Sequence, residues 1–218
     1  MIPRVMHRTL PAGDVAPEVD RWWQGWQDLL PGWTFRTWRE PCGLDFPELA
    51  ELLPLCIAGA QRAGLIRLAL LVREGGVYMD SDVSPVASLE PLLHVPAFAG
   101  WEDDHCLPDA VLGAERGHPA FVEAFIRAAE LVTTPNPGRT PDEQVWDSGP
   151  GVTTAVLPGR PDVLCLPSGA FYPVHYLNKA RLPKVAANPP KGCFGIHQWH
   201  HSWGSPAAKK ALQRKQRP

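Results

Sequence analysis

Apolar residues recur along this chain with helical spacing in some segments and in short continuous runs in others. The clearest helix is predicted over residues 57–74, where one apolar stripe is followed by Gly75-Gly76, a left-handed stop. A short buried strand over residues 77–79 comes next. The stripe consists of Leu65, Leu68, Leu71 and Val72.

Helical and strand-like segments alternate over most of the chain. This alternation predicts one α/β domain with a mainly parallel central sheet. Three prolines and a glycine predict a loop over residues 133–141. The other predicted helices cover residues 20–30, 46–53, 118–132 and 151–157, and the other predicted strands cover residues 2–10, 33–38, 97–101, 110–114, 163–166 and 193–197.

The composition is that of a globular protein with a real core: 44% of the 218 residues are hydrophobic and 20% are charged. A formal net charge of -2 argues against a general nucleic-acid binder, which needs clustered basic residues. Twenty-five prolines predict long loops and rigid turns. Nine tryptophans suit stacking on sugar or base rings, although core packing explains them equally well.

Targeting signals are not evident in the sequence. The first ten residues lack the apolar stretch of a signal peptide, and no run reaches the roughly 18 apolar residues of a membrane span. Five cysteines without a CxxC pair fit reduced thiols rather than a disulfide framework. We therefore expect a cytoplasmic protein without a transmembrane segment.

Two carboxylates, Asp80 and Asp82, follow the predicted strand at residues 77–79. Ligands bind outside the carboxyl ends of strands in open α/β sheets, and residues two apart in an extended chain project to the same side. Such close carboxylates repel each other unless a divalent cation, bridging to substrate phosphates, lies beside them. A solvated turn is the commoner explanation of Asp-x-Asp, but the preceding glycine stop and buried strand favour a metal site.

Arg67 is the only charged residue between Ala63 and Val72, inside an apolar stretch of the predicted helix. A buried arginine needs a carboxylate or phosphate partner, although a lone arginine can also extend to solvent. Because its helix leads directly to the Asp80 strand, we expect Arg67 to form a structural or substrate-bridging pair.

Residues 197–203 hold three histidines and two tryptophans. A zinc site is disfavoured because no cysteine or fourth ligand lies at suitable spacing. The N–H and O–H donors of this segment suit diphosphate oxygens. The alternative is a packed aromatic segment with one or two exposed histidines.

Taken together, these residues resemble the DXD-containing glycosyltransferases of the capsular-polysaccharide and initiating α-1,6-mannosyltransferase type (glycosyltransferase family 32-like). They are distantly similar to the glucosyltransferase domains of clostridial toxins. The most specific block covers residues 60–82, and the matches run in family order to residue 205. The weaker matches are residues 2–7, residues 33–38, Gly117-His118-Pro119, Ser148-Gly149-Pro150 with Thr153, and residues 197–203.

This resemblance implies a nucleotide-diphospho-sugar transferase domain of the GT-A type over residues 1–205, followed by a basic tail over residues 206–218 that we expect to be disordered. It implies transfer of a sugar, with retention of configuration, from a nucleoside-diphosphate sugar to an acceptor hydroxyl, with Mn²⁺ or Mg²⁺ as cofactor. We expect a UDP-sugar rather than GDP-mannose as donor, and a saccharide, lipid-linked or protein acceptor, as in polysaccharide biosynthesis.

By position, Asp82 would ligate the metal, Asp80 would contact the donor and approach the metal, and Arg67 would meet the donor sugar or Asp80. These three are the expected catalytic residues. The expected donor-binding residues are His7, Trp38, Tyr78, Asp80, His197, His201, Ser202 and Trp203. The expected sugar or acceptor pocket consists of Trp101, Glu102, Asp103, Ser148, Gly149 and Pro150.

One departure from the family pattern is Ala63-Gly64, where the family usually has Ser-Asp with an aspartate that helps to hold the donor sugar. A degenerate protein that binds nucleotide sugars without turnover is therefore one alternative, and a metal-dependent nucleotide-sugar hydrolase is another. A double displacement would use Glu102, Asp103 or Asp104 as nucleophile. Attack by the acceptor on the front face needs no enzyme nucleophile, and by analogy with the family we favour it.

Overall fold

The computed structural model describes residues 1–39 and 46–200, in which strands and helices alternate as the hydrophobic pattern predicts. The strands are β1 (Val5–Leu10), β2 (Thr34–Arg39), β3 (Gly76–Met79), β4 (Val83–Pro85), β5 (Ala97–Gly100), β6 (Val111–Ala114), β7 (Val163–Leu166) and β8 (Gly195–His197). The helices are α1 (Pro17–Leu29), α2 (Pro47–Leu52), α3 (Gly59–Glu74), α4 (Pro119–Thr133), α5 (Pro141–Ser148), α6 (Pro150–Val156) and α7 (Leu182–Ala187).

Six strands form the central sheet, in the order β2-β1-β3-β6-β5-β7. β1 is parallel to both β2 and β3, and β5 is parallel to β7. The exception is β6, which is antiparallel to β3 and β5. The predicted α/β fold with a mainly parallel sheet is confirmed, and its one reversed strand lies next to the strand that carries the candidate site.

Both faces of the sheet are covered. Tyr78 of β3 belongs to the core cluster that α3 and α4 form on one face, whereas Val77 and Met79 belong to the cluster on the other face. Leu68 of α3 is 1% exposed and Leu71 is fully buried, and burying one such side chain stabilises the fold by about 1.5–3 kcal/mol. β3 therefore runs through the middle of the core, and this packing fixes the position of its carboxyl end.

Three elements were not predicted, namely α5, β4 and α7. α5 begins with a capping box in which Thr140 Oγ1 accepts the Glu143 N–H at 3.3 Å and the Glu143 carboxylate accepts the Thr140 N–H at 2.8 Å. β4 has three residues and pairs antiparallel with β8, so that Val83 lies opposite His197. The predicted last strand thus exists as β8, but it belongs to this separate two-stranded sheet. None of the helices described has both the length and the apolar character that crossing a bilayer requires.

The double glycine between α3 and β3 is required by geometry. Gly75 ends the helix with φ 68°, and Gly76 follows with φ 96°. A Cβ on Gly76 would lie 2.5 Å from the Val5 carbonyl oxygen of β1. Glycine therefore allows both the left-handed turn and the close approach of β3 to β1.

This predicts that Gly76→Ala lowers the free energy of unfolding much more than Gly117→Ala. Gly117 also has a positive φ, 71°, but a Cβ there would meet nothing within 4 Å. The control should lose roughly 1–2 kcal/mol from left-handed strain alone, and Gly76→Ala should lose roughly 1–3 kcal/mol more from the clash. Urea denaturation measures both; equal losses would contradict the prediction.

Candidate active site

Asp80 lies immediately beyond β3 and is held from its own strand. Its backbone N–H donates to the Ala110 carbonyl at 2.8 Å, which extends the β3–β6 pairing by one residue. Its Oδ1 accepts a hydrogen bond from the Tyr78 hydroxyl at 3.0 Å. That hydroxyl also lies 2.7 Å from Thr9 Oγ1 of β1, so Tyr78 is buried and supports Asp80 from within the core.

Arg67 of α3 is buried between two carboxylates. Its Nη2 lies 3.1 Å from Asp80 Oδ1 and its Nη1 lies 3.2 Å from Asp109 Oδ2. Nη1 also donates to the Asp109 carbonyl and Nε to the Ala63 carbonyl, and the guanidinium lies over the Tyr78 ring, 4.6 Å from its centre. Burial alone would lower the pKa of Arg67, but the charges of Asp109 and Asp80 outweigh the effect of burial. The pKa of Arg67 is therefore raised, and its side chain is positively charged.

The pKa values of the two carboxyl groups are shifted in opposite directions. For Asp80, burial raises the pKa, but Arg67 and His197 lower it further than burial raises it, so Asp80 is ionised. For Asp109, burial dominates and the pKa is raised in spite of Arg67. Asp109 Oδ2 also lies beside two glycines, 3.7 Å from where a Cβ of Gly64 would be and 3.3 Å from that of Gly149.

Asp82 binds the chain segment that follows β8. Its carbonyl accepts the Gln198 N–H and its Oδ2 accepts the His200 N–H, both at 2.8 Å. Between them, Trp199 has a left-handed φ of 56°, which is uncommon for a residue with a side chain. The indole N–H of Trp199 donates to the Val174 carbonyl at 2.7 Å, which fixes the turn. The segment therefore folds tightly around the second aspartate.

His197 completes a cluster with the two aspartates. Its Nε2 lies 3.5 Å from Asp82 Oδ1 and 4.0 Å from Asp80 Oδ2. Burial would lower the pKa of His197, but Asp82 and Asp80 together outweigh it and the pKa is raised. On the other side of the ring, Nδ1 accepts the Trp199 N–H at 3.2 Å. In the neutral ring the hydrogen must therefore be on Nε2, pointing towards the carboxylates.

Residues 19–99 match a family model described as a glycosyltransferase sugar-binding region containing the DXD motif. The matched range includes Arg67 and Asp80-Ser81-Asp82. This part of the chain therefore resembles the sugar-binding region of the DXD-containing glycosyltransferases.

Among curated proteins, this chain is 30% identical over 131 residues to inositol phosphoceramide mannosyltransferase 3 of Schizosaccharomyces pombe. That match covers 56% of this chain and 36% of the yeast protein. The chain thus matches about a third of the length of the curated relatives.

Two solved structures share its fold. PaToxG glycosyltransferase superposes with a TM-score of 0.59 at 14% identity, covering 72% of this chain and 68% of that one. The apo-form glycosyltransferase GlyE of Streptococcus pneumoniae TIGR4 superposes with a TM-score of 0.51 at 8% identity, covering 99% of this chain and 60% of that one. At such identities the likeness concerns the fold alone.

The side chains of the candidate site fit a hard divalent ion. Asp80, Asp82 and His197 each present a potential ligand atom within 4.8 Å of the others. Carboxylate oxygens are the ligands that Mg²⁺ and Mn²⁺ prefer. The hydrogen on His197 Nε2 makes this ring, in the observed geometry, a donor to the aspartates rather than a metal ligand. The two aspartates are therefore the residues that would hold the ion.

His7 and Trp38, expected at the donor site, contact each other across β1 and β2. His7 is fully buried, and burial lowers its pKa. Its Nε2 bonds to the Gly75 carbonyl at 3.0 Å, and its Nδ1 accepts the Trp38 indole N–H at 3.3 Å. Both ring nitrogens of His7 are therefore used within the protein.

The predicted pocket residues come from two elements. Ser148-Gly149-Pro150 joins α5 to α6 beside Asp109, and Ser148 Oγ accepts from Gln61 of α3 at 3.0 Å. Trp101, Glu102 and Asp103 follow β5. Asp103 Oδ1 accepts the His105 and Cys106 N–H groups, which makes a local turn. His201, Ser202, Trp203 and the basic tail over residues 206–218 lie outside the described residues.

Asp109 and Tyr172 are not among the site residues predicted from the sequence. Asp109 precedes β6, and because β6 is antiparallel to β3 its start lies beside the end of β3. The sequence signal was present, since a lone carboxylate stands between Pro108 and an apolar run. Tyr172 packs against His197 and Trp199, with ring centres 5.7 and 5.8 Å apart. Nothing in its local sequence distinguishes it from a core aromatic residue.

We predict that Arg67→Met destabilises the protein by roughly 3–5 kcal/mol at pH 7, because it leaves Asp80 and Asp109 facing each other without a counter-charge. Without Arg67 the folded-state pKa of each carboxyl rises, so the variant should lose stability as pH rises and the deficit should be smaller at pH 4.5.

Arg73→Met on the same helix is the control. Arg73 is 42% exposed and lies 3.9 Å from Glu48, so its loss should be about 1 kcal/mol or less. Denaturant unfolding at the two pH values measures both variants. Equal, pH-independent losses would show that Arg67 does not neutralise the two carboxylates.

Proposed function

We propose that this protein is a glycosyltransferase that moves a sugar from a nucleoside-diphosphate sugar to an acceptor hydroxyl, with a divalent ion held by Asp82 and Asp80. The observation that carries the proposal is the set of two aspartates at the end of β3, braced by Arg67 and enclosed by the segment after β8. A bound divalent cation would stabilise the charge that develops on the departing nucleoside diphosphate.

Arg67 acts in this proposal through Asp80. Its guanidinium is 6% exposed and bonds to Asp80, to Asp109 and to the Ala63 carbonyl, so little of it is left for a substrate. It is therefore a positioning residue that keeps Asp80 ionised and aimed at the ligand. Tyr78 has the same role from the core side.

We propose retention of configuration by front-face attack of the acceptor hydroxyl. A double displacement needs an ionised, available carboxylate below the sugar. Burial raises the pKa of Glu102, and Asp103 is engaged with two backbone N–H groups. Asp104 is exposed to solvent, and Asp109 is paired with Arg67. These observations favour the mechanism without an enzyme nucleophile.

Although Gly64 stands where the family usually has an aspartate, the site still has a carboxylate beside it. The position of its missing side chain is adjacent to Asp109 Oδ2, which also pairs with Arg67. A carboxylate from the start of β6 thus lies where the family usually supplies one from α3. This favours turnover over binding alone.

Two sugar donors and two kinds of acceptor are the first to test. We expect a UDP-sugar from the sequence, whereas the names of the curated relatives describe mannosyl transfer to inositol phosphoceramide. UDP-glucose and GDP-mannose are therefore the first two donors to compare, and inositol phosphoceramide and simple glycosides are the first acceptors.

We predict that UDP or GDP with Mn²⁺ stabilises the protein in a thermal shift assay, and that Asp82→Asn removes the metal-dependent part. At 100 times the Kd, binding stabilises by about 2.7 kcal/mol, a shift of roughly 5–10 °C in a domain of this size. Asp28→Asn, an exposed change on α1, is the control and should keep the shift. A wild-type protein without any shift for either nucleotide would refute the proposal.

Turnover distinguishes the proposed transferase from its alternatives. Release of nucleoside diphosphate should require both Mn²⁺ and an acceptor. Equal release with and without acceptor would identify a hydrolase, and nucleotide binding without any release would identify a binding protein.

A further inference from the structure

Tyr172 is buried beside the aspartate cluster with an unused hydroxyl group. The residue is 2% exposed, and its Oη has no hydrogen-bond partner among the described residues. Its ring lies against Gly100, where a Cβ would be only 3.3 Å away, and it is flanked by His197 and Trp199. A buried hydroxyl without a partner is costly, so this one requires an explanation.

Glu102, two residues beyond Gly100, carries a buried hydrogen-bond acceptor that is not used. Its side chain is 8% exposed, and its Oε1 is buried without a hydrogen bond, although His175 Nε2 lies 3.4 Å away. In residues 1–39 and 46–200, three buried side-chain atoms lack a partner. Two of them are these neighbours of the candidate site, and the third, His118 Nε2, lies at the start of α4.

Both side chains are buried near His197, whose ring packs against Tyr172 and whose charge acts on Glu102. Burial raises the pKa of Tyr172 well above its usual value, and the charges of Asp80, Asp109 and Glu102 raise it further. Burial likewise raises the pKa of Glu102, while the charges of His175 and His197 lower it. The phenol is therefore a neutral donor surrounded by acids, and none of these acids accepts its hydrogen.

We propose that Tyr172 Oη and Glu102 Oε1 bind one hydroxyl group of a sugar, which accepts a hydrogen bond from the phenol and donates one to the carboxyl group. This inference rests on the proposed function and adds a sugar-hydroxyl subsite to it. A hydroxyl group is the ligand chemistry that satisfies one unused donor and one unused acceptor together. The hydroxyl can belong to the donor sugar or to the acceptor.

The variants that test this are Tyr172→Phe and Glu102→Gln, with Tyr176→Phe as the matched control. Tyr172→Phe removes an oxygen that bonds to nothing in the described protein, so the unfolding temperature should not fall. Tyr176 also packs beside Trp199, with ring centres 6.0 Å apart, but its hydroxyl is not among the unpartnered buried atoms.

Calorimetric titration separates the two sources of the hydroxyl. UDP and UDP-glucose, or GDP and GDP-mannose, are titrated with Mn²⁺ present, and methyl α-mannoside is titrated into the protein saturated with the nucleoside diphosphate and Mn²⁺. Tyr172→Phe should bind the nucleoside diphosphate like the wild type and lose about tenfold in one of the two sugar titrations. Loss with the nucleotide sugar identifies the donor sugar; loss with the glycoside alone identifies the acceptor.

The double variant adds a further criterion. Because both side chains are inferred to hold one hydroxyl, Tyr172→Phe with Glu102→Gln should lose less affinity than the product of the two single losses. Unchanged sugar affinity in Tyr172→Phe, or a lowered unfolding temperature with unchanged affinity, would overturn the inference and indicate a structural hydroxyl. Failure of the wild type to bind any nucleoside diphosphate would instead refute the proposed function itself.

Discussion

The ion pairs of Arg67 are the constraint on which the rest of the site depends. A buried guanidinium must be balanced, and here Asp80 and Asp109 balance it from two different strands. The same pairs keep the aspartate at the end of β3 ionised, although burial by itself would raise its pKa. The charge of Arg67 therefore supports both the stability of the fold and the ionisation of Asp80, so a change at Arg67 alters both.

Strand direction explains how the partners meet. In a fully parallel sheet, the residues that precede a strand lie at the edge opposite to the residues that follow its neighbour. Because β6 is reversed, Asp109 before β6 and Asp80 after β3 share one edge. The small sheet of β4 and β8 then brings His197 to the same place. Thus three distant parts of the chain converge on one edge.

Local signals were sufficient for part of this arrangement. Gly75-Gly76 and the apolar run of α3 predicted the helix, the strand and the position of Asp80 and Asp82. The capping box at Thr140 was also a local signal for α5, and it was overlooked. In contrast, β4 exists only through pairing with a strand more than a hundred residues away, and the reversal of β6 has no local cause. Asp109 had a local signal, but its position beside Asp80, like that of Tyr172 beside His197, depends on long-range contacts that residue spacing does not reveal.

Gly64 and Asp109 lie 45 positions apart in the sequence, yet the carboxylate of one occupies the space beside the other. The positive charge of Arg67 requires negative groups around it, and any segment of the chain can supply them. Asp109, ahead of β6, therefore supplies beside Gly64 a negative charge that an aspartate on α3 could also supply. An alignment column read singly at Gly64 does not register Asp109, because the two residues meet only in three dimensions.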